Sequence, residues 1–191
     1  MKEELQHYIV ELVAEAFATC ILIIFNDGAI ANFKFANYTA YPPLIIYLAI
    51  GTGIYMGIFL SKFRAKCCFF LCVLALMTAG SITGAHINPA VSIPFMTIRK
   101  LKPLQCVFYV LGQFIGAFVG AAVVYFVFWS QINNFDGGRR LVSGANGTAD
   151  IFFTMPATGV EHWNSFFDQI IGTAILMIFI MALGVVNEFL F

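Results

Sequence analysis

Four apolar segments long enough to cross a membrane constrain this chain more than any other feature of its sequence. They cover residues 8–30, 42–60, 103–129 and 166–190. Because a helix of about 20 apolar residues crosses the hydrocarbon core of a bilayer, each segment predicts a membrane span. A fifth apolar run, 67–80, is only about 14 residues long, a length that favours a re-entrant or buried piece.

Composition supports lipid as the surrounding solvent. The 191 residues are 61% hydrophobic and 10% charged with no net charge, whereas soluble domains carry about 25% charged residues. No basic stripe is present, which excludes nucleic acid as a partner. The five cysteines are odd in number and lack metal-ligand spacing, so they are interpreted as small buried residues. We therefore expect no metal and no cofactor.

The N-terminal residues are polar and acidic, unlike the basic start of a secretory signal, so we expect the first span to be retained. With the N-terminus in the cytoplasm and four spans, seven basic residues lie inside and three outside, which favours this orientation. The inner residues are Lys2, Lys62, Arg64, Lys66, Arg99, Lys100 and Lys102; the outer ones are Lys34, Arg139 and Arg140. If the run 67–80 also spans, the count becomes six against four. Two glycosylation sequons, at Asn37 and Asn146, fall outside in the favoured topology.

Two segments of the chain resemble each other: AEAFATCILIIF from Ala14 and DQIIGTAILMIFI from Asp168. Glu15 aligns with Gln169, and a small residue, a threonine and aliphatic residues follow in both. Three spans precede the second copy, so the copies would run in opposite directions. Inverted repeats are typical of membrane transport proteins, whose permeation site lies where the halves meet.

The most informative polar motif is SITGAHINPAVSIPF, residues 81–95. Asn88 is a preferred helix N-cap and Pro89 suits the first helical position, so the motif predicts a helix start. Residues 91–98 add about two apolar turns, which is too short to span. The sequence therefore predicts a half-helix, with Pro94 as a residue that could kink it.

Two placements of this half-helix are consistent with its spacing. Non-helical backbone at membrane depth must be buried in protein or line a water-filled cavity. In such a cavity the carbonyl groups of residues 84–86 would accept hydrogen bonds from a solute and the Asn88 amide would donate one. The partial positive charge of the helix start would disfavour cations and hydronium. A cytoplasmic Asn-Pro turn is the alternative that spacing leaves open.

The motif resembles the first pore signature of the aquaporin family. VELVAEAFATCILIIF, PLQCVFYVLGQFIGAFVGAA, IFFTMPATG and FFDQIIGTAIL resemble the first helix, third helix, outer loop and fourth helix of its glycerol-conducting branch, the aquaglyceroporins. The resemblance implies an all-α integral membrane protein: an inverted-repeat bundle of six spans and two half-helices, assembled as a tetramer. By that resemblance, Glu15 braces the re-entrant loop and Gln113 is buried in the third helix. The implied pore-lining residues are Gly84, Ala85, His86, Asn88, Pro89 and Ala90.

Other readings of the helix residues are weaker. Glu15 could instead act as a proton-relay carboxylate. Gly112, Gly116 and Gly120 form a small-residue ridge that predicts close helix contact.

The chain departs from the family pattern in two places. Residues 59–76, FLSKFRAKCCFFLCVLAL, intervene where the family's second helix runs almost directly into the pore motif. Their different composition is typical of translated intron sequence, an altered exon junction or a loop insertion. The sequence also stops after the fourth predicted helix, so we expect an incomplete bundle of four spans and one half-helix. The expected single membrane domain, 1–191, comprises a first repeat 8–129, an outer loop 130–165 and the start of a second repeat, 166–191.

The function that this reading favours is a passive channel for water, glycerol and small neutral solutes, in a truncated or splice-variant form. The alternative is a non-conducting fragment that assembles with full-length aquaglyceroporins and modulates them. A membrane enzyme using His86 or Glu15 lacks any supporting catalytic or metal cluster, so we expect no enzyme. The expected partners are the lipid bilayer, small neutral solutes and aquaporin-family chains in a homo- or hetero-tetramer. The expected location is the plasma membrane.

Overall fold

The computed structural model describes residues 2–36, 79–80, 82–156 and 159–190, and the structure within these ranges is helical without strands. Two compact units divide the chain, Met1–Phe153 and Thr154–Phe191. The described elements of the first unit are α1 (Lys2–Phe35), α2 (Pro89–Thr97), α3 (Pro103–Val127), α4 (Trp129–Asp136) and a 3-10 turn (Ala149–Ile151). The second unit contains α5 (His162–Leu190).

Three described helices are long and apolar enough to cross a membrane: Glu3–Phe35, Pro103–Val127 and His162–Ala182. They correspond to the first, third and fourth predicted spans. The second predicted span, 42–60, and the insertion, 59–76, lie outside the described residues, as do Asn37 and three of the five cysteines. Of the short apolar run 67–80, only Ala79 and Gly80 are described, and both are helical.

Helix α1 is longer than the predicted span. Its 34 residues correspond to about 51 Å at about 1.5 Å per residue, whereas the hydrocarbon core is about 30 Å thick. Glu3 and Glu4 occupy its first turn and Lys34 its last. These charges complement the helix dipole and suit ends that extend beyond the apolar layer.

Helices α1 and α3 meet at backbone distance along the glycine ridge. A Cβ atom at Gly120 would lie 2.6 Å from the Cys20 carbonyl oxygen. At Gly112 and Gly116 it would overlap the carbonyl oxygens of Leu12 and Ala16. The prediction of a close helix contact is therefore confirmed, and its physical basis is that only glycine leaves room for the facing backbone.

Beyond α3, a short connection leads into the segment predicted as an outer loop. Helix α3 ends at Val127 and α4 begins at Trp129, with Phe128 between them. Helix α4 ends at Asp136 and is followed by Gly137, whose φ of 64° is the left-handed conformation that favours glycine. A small apolar core holds this segment against the end of α1; its buried members are Ala31, Val124, Ile132 and Ile151.

Four charged residues lie around this small core and are here called the charged cluster: Lys34, Asp136, Arg140 and Asp150. The Lys34 Nζ donates to both carboxylate oxygens of Asp150, at 2.7 and 2.8 Å. The Arg140 guanidinium lies 3.3 Å from Asp136 and donates from Nε to the Tyr125 hydroxyl at 2.8 Å. The charged cluster therefore ties the loop after α4 to α1 through the Lys34–Asp150 ion pair and to α3 through the hydrogen bond from Arg140 to Tyr125.

Asp136 also caps the turn that follows α4. Burial raises its pKa, but hydrogen bonds from the backbone N–H groups of Gly138 and Arg140 and from the Arg140 guanidinium outweigh that effect. The pKa of Asp136 consequently lies below the ordinary value of an aspartate.

Candidate pore site

Helix α2 is the half-helix that the sequence predicts. Asn88 has extended backbone angles (φ −156°, ψ 126°), and its Oδ1 accepts a hydrogen bond from the Ala90 N–H at 2.9 Å. Pro89 occupies the first turn, and the helix continues through Pro94 to Thr97. Its nine residues correspond to about 14 Å. The predicted N-cap and the short length of the helix are confirmed.

The cap also orients the Asn88 carboxamide. Because Oδ1 accepts from the first turn of α2, the Nδ2 group points away from that turn. Among the described residues, none accepts a hydrogen bond from this Nδ2, and the side chain is half-buried. Asn88 therefore presents an amide donor without a described acceptor at the start of the half-helix.

The loop before α2 has an unusual backbone. Gly84, Ala85 and Ile87 have φ values of 79°, 53° and 45°, all in the left-handed region. That region suits glycine, but it is rare for alanine and rarer still for a β-branched residue. Each non-glycine residue in this conformation costs about 1–3 kcal/mol of free energy and persists only where the surrounding structure enforces it.

Glu15 supplies that enforcement from α1. Its fully buried carboxylate accepts from the His86 N–H at 3.1 Å and from the Ile87 N–H at 2.7 Å. The Thr83 hydroxyl and the Gln113 side-chain amide also donate to it. Successive N–H groups in a loop of this kind form an anion-binding nest. The four donors therefore compensate the burial of the Glu15 charge, and the hydrogen bonds to the carboxylate in turn offset the strain of the loop.

A row of carbonyl groups on the same loop has no partners among the described residues. The N–H groups of His86 and Ile87 face Glu15. In contrast, no described donor contacts the carbonyl oxygens of residues 84–87. Because backbone carbonyls are obligatory hydrogen-bond acceptors, such a row suits a path along which a polar solute passes.

Two further side chains join the loop to α3. The Gln113 Nε2 donates to Glu15 at 2.7 Å and to the Ser92 hydroxyl at 3.0 Å. The Ser92 Oγ lies 3.2 Å from the His86 Nδ1. Thr83, Ile87 and these four residues (Glu15, His86, Ser92 and Gln113) are here called the Glu15 network.

The His86 ring is held by aromatic neighbours as well. Its centroid lies 4.9 Å from that of Phe95 and 5.2 Å from that of Tyr109. The Tyr109 hydroxyl lies 3.3 Å from the Thr83 carbonyl oxygen. The ring therefore packs between α2 and α3 and has little freedom to rotate.

Sequence reasoning did not single out Glu11, Gln105, Tyr109, Thr83 or Ser92. Glu11 is buried, and its Oε1 accepts from the Gln105 side-chain amide. Helical spacing could have found most of these residues. Glu11 precedes Glu15 by one turn, and Gln105, Tyr109 and Gln113 recur every four residues on one face of α3. Polar residues that recur on one face of an apolar helix indicate an internal contact.

Two further predicted residues, Gln169 and Asn146, are exposed. Gln169 is exposed on α5 in the second unit. Asn146 is exposed in the loop after α4, at a turn closed by the Gly147 N–H and the Gly144 carbonyl. In the described part of the chain, no group of His, Cys, Asp and Glu side chains could hold a metal ion.

Comparison with known proteins identifies the family. The family model described as major intrinsic protein matches residues 3–188. Human aquaporin-9 is 34% identical over 173 residues, which cover 91% of this chain and 52% of that protein. Aquaglyceroporin-2 of Rhizophagus irregularis is 35% identical over 173 residues, covering 91% and 49%. Aquaporin-2 of Milnesium tardigradum is 32% identical over 171 residues, covering 90% and 47%.

The chain spans about half the length of the curated relatives that it matches. The predicted resemblance and the all-α integral membrane fold are confirmed. The prediction that the chain is not an enzyme is also confirmed, because this family consists of channels. By the match to its family model and the identity to these relatives, the chain belongs to the major intrinsic protein family.

Proposed function

We propose that this chain forms a passive channel for water, glycerol and similar small neutral solutes. The observation that carries the proposal is the loop before α2, where Glu15 takes up the N–H groups of His86 and Ile87. The carbonyl groups of residues 84–87 have no described donor. A row of acceptors without described donors, next to an Asn88 amide without a described acceptor, suits a solute that both donates and accepts hydrogen bonds.

The mechanism is single-file passage without covalent chemistry. A solute hydroxyl donates to the carbonyls of residues 84–86 and accepts from the Asn88 Nδ2, so each contact replaces one lost from water. Pro89 and Ala90 open the half-helix at this point. The partial positive charge of the helix start disfavours cations and hydronium.

An Asn88→Asp substitution tests this function. Aspartate caps a helix as well as asparagine does, so α2 should remain folded. The exchange removes the amide donor and places a negative charge in the path, which should lower glycerol and water flux by about tenfold or more. Swelling of vesicles containing the purified chain measures the flux.

The control for that experiment is Asn164→Asp, which adds the same charge at an exposed position of α5. It should leave the flux unchanged. Equal flux in the wild type and Asn88→Asp would show that Asn88 does not line a pore.

A second proposed role rests on the similarity of the chain to aquaglyceroporins. In this alternative the chain assembles with longer aquaglyceroporins and modulates them instead of conducting by itself. Co-reconstitution separates the two roles. Flux through vesicles holding this chain alone supports the channel; flux that changes only in the presence of a relative supports assembly, in a hetero-tetramer.

We also propose a plasma-membrane location with a cytoplasmic N-terminus and with Asn146 on the outer side. Asn146 should then carry a glycan, seen as a mobility shift that Asn146→Gln abolishes. Asn134→Gln, a change outside any sequon, should leave the shift intact. No glycan at Asn146, together with a C-terminal tag found outside, would mean that the run 67–80 spans the membrane.

A further inference from the structure

A directional chain of hydrogen bonds connects Glu15 with His86, and donor counting fixes its direction. The Glu15 carboxylate receives donors from four groups and so is held in its acceptor-only form. The Gln113 group beside it must therefore be the Nε2 amide. The second hydrogen of that amide points to the Ser92 Oγ at 3.0 Å. Ser92 thus accepts from Gln113 and has one proton left to donate.

Two acceptors lie within reach of the Ser92 proton. The Asn88 carbonyl oxygen is 3.4 Å away, but it already accepts from the N–H groups of Val91 and Ser92, at 3.0 and 3.1 Å. A carbonyl oxygen has two lone pairs, so both are in use. The His86 Nδ1 is 3.2 Å away and has no other described partner. The serine proton therefore goes to the His86 Nδ1.

We propose that Ser92 is a positioning residue that keeps neutral His86 in the tautomer with its proton on Nε2, as a hydrogen-bond donor to the oxygen of a passing solute. A neutral imidazole carries one ring proton, so an Nδ1 that accepts requires an Nε2 that donates. The solute half of this proposal rests on the proposed channel function; the tautomer half does not.

The surroundings of His86 support such a role. Among the described residues none bonds its Nε2, while Phe95 and Tyr109 hold the ring in place. The neighbouring carbonyl groups of residues 84–87 offer acceptors without described donors. A fixed His86 donor beside this row of acceptors would give a solute hydroxyl, in addition to the Asn88 amide, a second group that donates to its oxygen while its own proton goes to a carbonyl.

Nitrogen NMR of the histidine rings tests the tautomer directly. The full chain is labelled with ring-¹⁵N histidine in lipid bilayers, with His7→Gln and His162→Gln so that His86 is the only histidine. At about pH 8 an unperturbed imidazole is neutral. We expect a bare Nδ1 and a protonated Nε2. A protonated Nδ1 in this protein would overturn the proposal, whatever the channel does.

Three variants establish whether Ser92 sets the tautomer. Ser92→Ala should give a mixture of both tautomers, whereas Ser92→Thr keeps the hydroxyl and should restore the Nε2-protonated form. Thr97→Val is the matched control, because this exposed hydroxyl of α2 bonds only the Pro94 carbonyl oxygen among the described residues. An unchanged tautomer in Ser92→Ala, in a protein whose α2 amides stay protected from hydrogen exchange, would overturn the role of Ser92.

Vesicle flux separates this proposal from the channel function. Ser92→Ala should lower glycerol flux by about twofold to tenfold, the range expected for one hydrogen bond, while Ser92→Thr and Thr97→Val should conduct like the wild type. Flux absent from every variant, with the expected tautomer observed, would refute the channel and leave the Ser92 assignment intact. Wild-type flux in Ser92→Ala, with a tautomer mixture observed, would refute the donor role of His86.

Discussion

The Glu15 network and the charged cluster both compensate the negative charge of carboxylates, but they use different partner groups. In the Glu15 network one buried carboxylate is compensated by neutral donors: two backbone N–H groups, a hydroxyl and an amide. In the charged cluster the carboxylates of Asp150 and Asp136 are paired with the cations of Lys34 and Arg140. The first arrangement holds a strained loop, and the second holds a capped turn.

The contribution of each kind of interaction to stability depends on how far water reaches it. Glu15 and Asp136 are both fully buried, whereas in the Lys34–Asp150 pair the Asp150 side chain is 43% exposed. Water and salt screen an exposed ion pair, so it contributes little. Hydrogen bonds to a buried charge are hardly screened, and removing one partner leaves the other uncompensated. We therefore expect the Glu15 network to contribute more to stability than the Lys34–Asp150 pair does.

The largest loss of folding stability is expected for Glu15→Leu. It removes the acceptor of four hydrogen bonds and leaves the left-handed loop without support, at a cost of about 3–5 kcal/mol. Hydrogen exchange at the His86 and Ile87 amides should rise strongly, and detergent-induced unfolding should shift by a similar free energy. Glu161→Leu removes an exposed carboxylate and serves as the control. Unchanged exchange at His86 in Glu15→Leu would contradict the bracing role.

The second largest loss of stability is expected from a substitution where the backbones of α1 and α3 are in contact. Gly116→Val would drive a side chain into the Ala16 backbone and separate the helices, at about 3 kcal/mol. Gly28→Val is a matched control on α1, since nothing lies within 4 Å of a Cβ atom there. The Glu15 network should lose its protection before the charged cluster does. Equal stability of the two valine variants would show that close contact at Gly116 is unnecessary.

A smaller effect is expected for Asp150→Asn. It leaves the Lys34 ammonium with weaker partners, at about 1 kcal/mol, because the pair is partly screened. The effect should shrink at high salt, whereas the effect of Glu15→Leu should not. Unfolding measured at low and high salt checks both statements. A Glu15→Leu effect that shrinks with salt as much as that of Asp150→Asn would remove the distinction between the two regions.

The smallest effect is expected from acid at the turn after α4. The pKa of Asp136 is lowered in the folded chain. Its stabilising contribution is therefore complete above the ordinary aspartate value of about 3.9 and is lost as the pH falls through the lowered pKa. Trp129 fluorescence reports this change, because the Arg140 guanidinium lies 4.7 Å from that ring. A Trp163→Phe background isolates the signal, and Asp136→Asn should abolish the acid transition.

Local patterns predicted most of the described elements. Hydropathy located the spans that became α1, α3 and α5. Capping chemistry located the start of α2 at Asn88, and the four-residue spacing of small residues located the helix contact at Gly116. The helix ends were less accurate, since α1 begins before residue 8 and α3 ends at Val127. The polar residues before residue 8 are compatible with either helix or loop, and the apolar Phe128 and Trp129 continue the hydropathy beyond the end of α3, so hydropathy does not fix the limits of a helix.

The sequence by itself determined that this chain is an α-helical membrane protein with an Asn88-capped half-helix, because length, hydropathy and capping are properties of neighbouring residues. Only the tertiary structure decided which groups the Glu15 carboxylate bonds, since His86 lies 71 residues further along the chain. It also decided that Ser92 joins His86 to Gln113. Hydrogen bonds act over about 3 Å, so these partners depend on the backbone contact of α1 with α3, which no local pattern specifies.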